Sequence, residues 1–101
     1  MNDLEIVEEK IREGVKFIAK GRINATNAED LLFMMREALD NGSQNIVLNM
    51  LKVDFLSSAG IKAILRIYKD TAEAGGKFGI EMPSQNVRNV LGMIALDEML
   101  I

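Results

Sequence analysis

Cysteine, histidine and tryptophan are all missing from these 101 residues, and proline occurs once. Without cysteine there are no disulfides and no thiol nucleophile. Without histidine, acid–base work near neutral pH loses its commonest side chain and the usual zinc sites lose a ligand. A basic face is missing too. Twelve Lys and Arg against fifteen Asp and Glu leave a net charge of −3, and the cations are scattered, whereas nucleic acid needs them clustered. The longest apolar run, Leu31-Leu32-Phe33-Met34-Met35, falls far short of the ~20 residues of a membrane span. The acidic start, Met1-Asn2-Asp3-Leu4-Glu5, is unlike a signal peptide. These absences predict a cytoplasmic domain with no direct nucleic-acid contact, no membrane span, no metal, no cofactor and no catalytic residue.

What is present is a core. Apolar residues make up 49% of the chain, and a domain of this size buries roughly 60–70% of its unfolded surface, so residues 1–101 read as one domain. Residues 4–10 and the alternating Val15-Lys16-Phe17-Ile18-Ala19 read as a hairpin-like strand pair closed by Gly21. A polar loop, residues 21–27, offers Thr26 or Asn27 as cap for a helix with Ala28, Leu31, Leu32, Met35 and Leu39 inward, which Gly42 ends in a left-handed conformation. Ile46-Val47-Leu48-Asn49-Met50 reads as a central strand and Val53 to Leu56 as a second short extended piece. The next helix carries Ile61, Ile64, Leu65, Tyr68 and Ala72 on one stripe and stops at Gly75-Gly76. Lys77 to Met82 reads as a strand. A short helix follows, capped by Ser84, with Val87, Val90 and Leu91 buried and Gly92 at its end, and Asp97 to Ile101 reads as a last edge strand. The fold class is therefore α/β: a single mixed β-sheet with amphipathic helices packed against it, in the order β-β-α-β-β-α-β-α-β.

The stretch richest in chemistry is Val53-Asp54-Phe55-Leu56-Ser57-Ser58-Ala59-Gly60-Ile61, a strand feeding directly into a helix. A helix start has unpaired N–H groups and partial positive charge, and favours anions. With Ser57 as the N-cap, its hydroxyl is engaged with the backbone and that of Ser58 is free to project. Gly60 inside a helix costs about 1 kcal/mol relative to alanine, so either close packing or a partner's close approach requires the bare backbone.

The strand Ile46 to Met50, the turn Leu56-Ser57-Ser58-Ala59-Gly60 and the later Gly75-Gly76-Lys77-Phe78 resemble the STAS domain of bacterial anti-sigma factor antagonists. The likeness takes in the Gly21-Arg22-Ile23-Asn24 loop and the ending from Gly92. It implies a non-enzymatic protein that binds an anti-sigma factor with serine kinase activity and is switched off by phosphorylation at Ser58, with a phosphatase to reverse the modification. Sigma-factor-dependent transcription would follow that switch. Ser57 stands where the family usually carries Asp and becomes an alternative acceptor. Asn24 stands where many members carry Asp, and the chain ends before the final helix common in the family. The expected partner-binding surface is Asn24, Ala25, Thr26, Ser57, Ser58, Ala59, Gly60, Ile61 and Lys62.

Plainer readings stand beside this one. A Ser-Ser pair before a helix is more often an ordinary cap than a phosphosite. Met34, Met35, Met50 and Met93 read as core or gap filler, and Asp54 as a solvated acid with no second acid or base at useful spacing. A different class, a constitutive STAS accessory or scaffold subunit of a transporter or stress-sensing complex, is the alternative function. Catalysis would rest on a serine with no visible base.

Overall fold

The computed structural model describes residues 3–94 and 99–101. Strands β1 (Leu4–Ile11) and β2 (Gly14–Ile23) pair antiparallel around a two-residue loop in which Glu13 takes φ 61°, the positive φ that so short a hairpin loop favours. Gly21 is the last β2 residue paired with β1, opposite Leu4, although β2 itself continues beside β3. This glycine has φ 117° and lies so near Asp3 that a Cβ would sit 2.1 Å from the Asp3 carbonyl oxygen, so the strand passes through an irregularity there and runs on to Ile23.

Helix α1 (Ala28–Asp40) leads to β3 (Asn45–Leu56), and α2 (Ser58–Glu73) leads to β4 (Lys77–Glu81), after which comes α3 (Gln85–Met93). The sheet order is β1-β2-β3-β4, with β2, β3 and β4 mutually parallel. Parallel neighbours need a crossover, and α1 and α2 are those crossovers. The result is the mixed α/β sheet that the sequence predicts.

The two extended pieces read separately in the sequence are one strand. Core positions along β3 fall at Ile46, Leu48 and Met50, then at Val53 and Leu56, so a spacing of two becomes a spacing of three. The pairing with β2 shifts register within those two intervals, as β-bulges do. At the first, the Asn49 side chain accepts the Leu51 N–H at 3.1 Å. Each extra residue looks like a break in the hydropathy pattern but keeps the buried face aligned.

One core unites Phe17, Ala19 and Ile23 of β2, Ile46, Leu48 and Met50 of β3, Ile80 of β4, and residues of all three helices. On α1 the buried positions are Ala28, Leu31, Met35 and Ala38, with Leu32 and Leu39 only half-buried. On α2 they are Gly60, Ala63, Ile64, Ile67 and Thr71, which corrects the expected stripe: Leu65 and Ala72 are exposed. Helix α3 buries Val87 and Leu91 and continues past Gly92 to Met93, which is 84% exposed and therefore not a core filler. Met35 and Met50 are fully buried and Met34 packs beside them.

Of the expected last strand, Asp97 and Glu98 lie outside the described residues. Leu100 forms a single parallel bridge to Ile80, and the Ile101 N–H donates to the Ile80 carbonyl at 2.9 Å.

The sheet's other face carries a polar cluster. Glu81 accepts from Asn49 Nδ2 at 2.8 Å and lies 3.0 Å from Lys16 Nζ. Asn49 first, then Lys16, hold the Glu81 carboxyl below its ordinary range, and Glu81 raises Lys16 in return. Among the described residues no helix is long and apolar enough to cross a membrane.

Candidate functional site

Where β3 ends, the Ser57 backbone turns extended, with φ −81° and ψ 171°, and its hydroxyl oxygen accepts the Gly60 N–H at 3.1 Å. This is an N-cap. An aspartate in the same place would accept the same bond, because Ser and Asp cap about equally well. Serine at position 57 therefore preserves the local helix start while removing a charge from it.

Ser58 is the first residue of α2 and is exposed. Its hydroxyl makes no hydrogen bond among the described residues. The first turn of α2 contains no acidic residue, whereas that of α1 carries Glu29 and Asp30. The dipole at the start of α2 is thus left uncompensated beside a free hydroxyl, while a phosphate on Ser57 would have to break the cap.

Gly60 is buried. A Cβ there would lie 2.6 Å from Leu56 Cδ1 and 2.7 Å from Ile23 Cγ2, so close packing of α2 over the ends of β2 and β3 requires the bare backbone. The family resemblance implies Gly60 as a contact residue, but its burial makes it a spacer beneath the surface. Ile61 is half-buried, and Lys62 is exposed one turn beyond Ser58.

The second sequence segment, Asn24 to Thr26, lies against the junction. The Ser57 N–H donates to the Ile23 carbonyl at 2.9 Å, which ties the start of α2 to the end of β2. Asn24 Oδ1 then accepts from the Thr26 N–H (3.0 Å), the Thr26 hydroxyl (2.6 Å) and the Asn27 N–H (3.2 Å). Asparagine and aspartate both build this turn through the same oxygen. Asn24 Nδ2 also donates to Asp3 Oδ2 at 3.3 Å, a bond an aspartate would lack.

Asn27 takes the N-cap position of α1 but makes no side-chain cap bond. It is 2% exposed and braces the loop from within: Oδ1 accepts the Asn24 N–H at 2.9 Å, and Nδ2 donates to the Arg22 carbonyl at 2.9 Å. Of the two candidate caps, Thr26 and Asn27, Asn27 holds the position, but its side chain serves the loop and not the helix. Asn27→Ala leaves both backbone groups without these partners and is expected to destabilise the fold by about 1–3 kcal/mol, read as a lower urea midpoint. An unchanged midpoint would show that water replaces the brace.

Loop and junction meet in one groove of about 260 Å³ between α1 and α2, lined by Ala25, Ala28, Glu29, Leu32, Ala59, Lys62, Ala63 and Arg66. Three of the expected site residues, Ala25, Ala59 and Lys62, share this lining. At the C-terminal ends of the two inner strands, beside the loop, the Arg22 guanidinium stacks over the Phe55 ring at 4.3 Å, a contact that no sequence spacing announces because it joins register partners on two strands.

Known proteins resemble this chain in sequence and in fold. A sequence model of the STAS domain matches residues 7–100. BtrV of Bordetella bronchiseptica, named as an anti-sigma factor antagonist, is 30% identical over 71 residues, 70% of this chain and 61% of BtrV; the chain thus matches about three fifths of that relative's length. The anti-sigma factor antagonist SpoIIAA in its unphosphorylated form superposes with a TM-score of 0.85 at 19% identity, over 96% of this chain and 86% of its own. The Bacillus SpoIIAA in its phosphorylated form superposes with a TM-score of 0.79 at 17% identity, over 96% of this chain and 89% of its own. At such identities the structural likeness is one of fold. The sequence match carries the assignment: this chain belongs to the STAS domain family.

Proposed function

We propose that this protein is an anti-sigma factor antagonist whose partner is an anti-sigma factor with serine kinase activity, and that phosphorylation of Ser58 releases that partner. It acts by binding and not by catalysis, and a phosphatase resets it. The contact surface is the start of α2 with Ser58, Ala59 and Lys62, together with the loop Asn24 to Thr26.

The observation that carries this reading is the division of labour between two adjacent serines. Ser57 satisfies the helix start and Ser58 stands exposed with an unused hydroxyl. A phosphate brings about −1.5 to −2 charges at pH 7, and a helix N-terminus stabilises negative charge by roughly 0.3–2 kcal/mol. The scaffold therefore tolerates the modification, and the penalty falls on whatever docks over it. That relatives named as antagonists include SpoIIAA, which keeps this fold in both phosphorylation states, is consistent with a switch that leaves the domain intact.

The test is affinity capture of the unmodified protein's partner from its own cells, then incubation with that partner and ATP and mapping of the phosphate by mass spectrometry. Phosphate is expected at Ser58 and not at Ser57. Phosphate at Ser57 alone, or at neither residue, overturns the switch; capture of a transporter or a stress-sensing assembly in place of a kinase would point to a scaffold subunit.

A further inference from the structure

Along α2, Ser58, Lys62, Arg66 and Asp70 follow one another at intervals of four residues, so their side chains form one ridge on the helix surface. The far half of this ridge is electrostatically closed. Arg66 Nε lies 3.5 Å from Asp70 Oδ1, and Arg36 Nε of α1 lies 3.2 Å from Asp70 Oδ2. The near half is not. Lys62 has a like charge, Arg66, four residues after it, and Ser58, Ala59 and Leu65 at the other positions three or four residues away. The two other cations of α2 each have an acid four residues on, Asp70 for Arg66 and Glu73 for Lys69, so Lys62 alone lacks one. Glu29 lines the same groove from α1, yet among the described residues Lys62 makes no ion pair.

An anion is thus missing from one place in the row, and that place is Ser58. Both residues are exposed, and the Ser58 hydroxyl is unused by the helix cap, which Ser57 supplies. A phosphate on Ser58 would stand four residues N-terminal to Lys62. In that order an ion pair on a helix is the more favourable, because the anion lies toward the positive end of the dipole and the cation away from it. Side chains so spaced start ~5–6 Å apart, within the reach of a lysine's flexible four-carbon stem.

From this row of side chains we infer that Lys62 is the intramolecular partner of a phosphate on Ser58: modification completes the ridge and, in doing so, takes the Lys62 ammonium out of the surface offered to the binding partner. Phosphorylation then alters that surface twice, by placing an anion and by occupying a cation that was free. This deepens the proposed function by giving Lys62 a positioning role in its switch, and it rests on that reading only for the modification of Ser58 in the cell.

The test uses the full chain with phosphoserine installed at position 58 during translation, so that no kinase is needed, and follows the phosphorus resonance through a pH titration. A neighbouring ammonium favours the dianion and lowers the second phosphate pKa, ordinarily about 6. Lys62→Gln is expected to raise that pKa by about 0.2–0.4 units relative to the otherwise unchanged phosphoprotein, and the difference should close in about 1 M salt, where surface pairs are screened. Lys62→Arg, which keeps the charge, should titrate as the parent does. So should Lys69→Gln, which removes the same charge about 16 Å from Ser58 along the helix axis. Lys62 and Lys69 are exposed, so melting temperatures should stay near the parent's and the titration reports the pairing and not the fold. An unchanged pKa in Lys62→Gln, or an equal rise in Lys69→Gln, overturns the inference. If that happens while the captured kinase still places its phosphate on Ser58, the proposed function stands without the pairing. If the pKa rises as expected but the kinase modifies neither serine, the pairing stands and the proposed switch fails.

Discussion

Ser58→Asp is expected to weaken capture of the anti-sigma kinase by about 10- to 100-fold, or roughly 1.4–2.8 kcal/mol, while Ser58→Ala binds like the unmodified protein and accepts no phosphate. The sign comes from the position. Ser58 begins α2 on the exposed side, so a new carboxylate disturbs nothing within the domain, and at a helix start it adds a few tenths of a kcal/mol of stability. Whatever binding is lost must therefore arise at the docked surface, where a charge without a counterpart is desolvated or faces like charge. Aspartate carries less charge than phosphate, so the phosphorylated protein should bind more weakly still. Titration calorimetry with the purified partner, beside thermal melts of each variant, separates the two effects. If Ser58→Asp matched wild type, or if Ser58→Ala lost as much as Ser58→Asp, the hydroxyl would not be a regulatory group.

Gly60→Val is expected to have the largest effect on stability, about 3 kcal/mol, which for a domain of this size lowers the melting temperature by roughly 10–20 °C. A first carbon at residue 60 would already stand 2.6 Å from Leu56 Cδ1 and 2.7 Å from Ile23 Cγ2. The leucine methyl can rotate away. Ile23 Cγ2 cannot, because it is bonded directly to a branched Cβ on a fully buried strand residue, and such side chains are stiff. Relief requires α2 to lift from the strand ends, which strains the Ser57–Ile23 backbone bond and moves the cap. Gly60→Ala should be milder, because a gain of about 1 kcal/mol in helix propensity offsets part of the clash. A Gly60→Val variant with the wild-type urea midpoint would mean that the helix start is not held by this contact.

Much of the site was legible in local chemistry. Two hydroxyls between an apolar run and a helix, followed by small residues, describe a capped junction wherever they occur, and Ser57 and Ser58 take the roles of cap and free hydroxyl that their order predicts. The loop at Asn24 was legible as a polar turn but not in its bonding. Asn27 braces that turn from inside with two bonds to the backbone of residues 22 and 24, and at sequence level the same residue is indistinguishable from a cap. Residues 45–56 read as two pieces in the sequence because bulges break the period on which strand reading depends, although each buried residue there is apolar.

Helix α2 shows most clearly where sequence stops. It is apolar at Ala59, Ile61, Ala63, Ile64, Leu65, Ile67 and Tyr68, an arc wide enough to allow more than one inward face. Composition and spacing determined that a helix forms here, that it is amphipathic, that its cap is a serine, and that the chain alternates strands and helices about a mixed sheet. Only the tertiary structure decided which arc faces inward, that two distant segments share one groove, and that Phe33 stays outside. The physical reason is that capping and periodicity are settled within a few residues, whereas the roll of a helix is set by its tightest contact with another element, in this case Gly60 against Ile23 and Leu56.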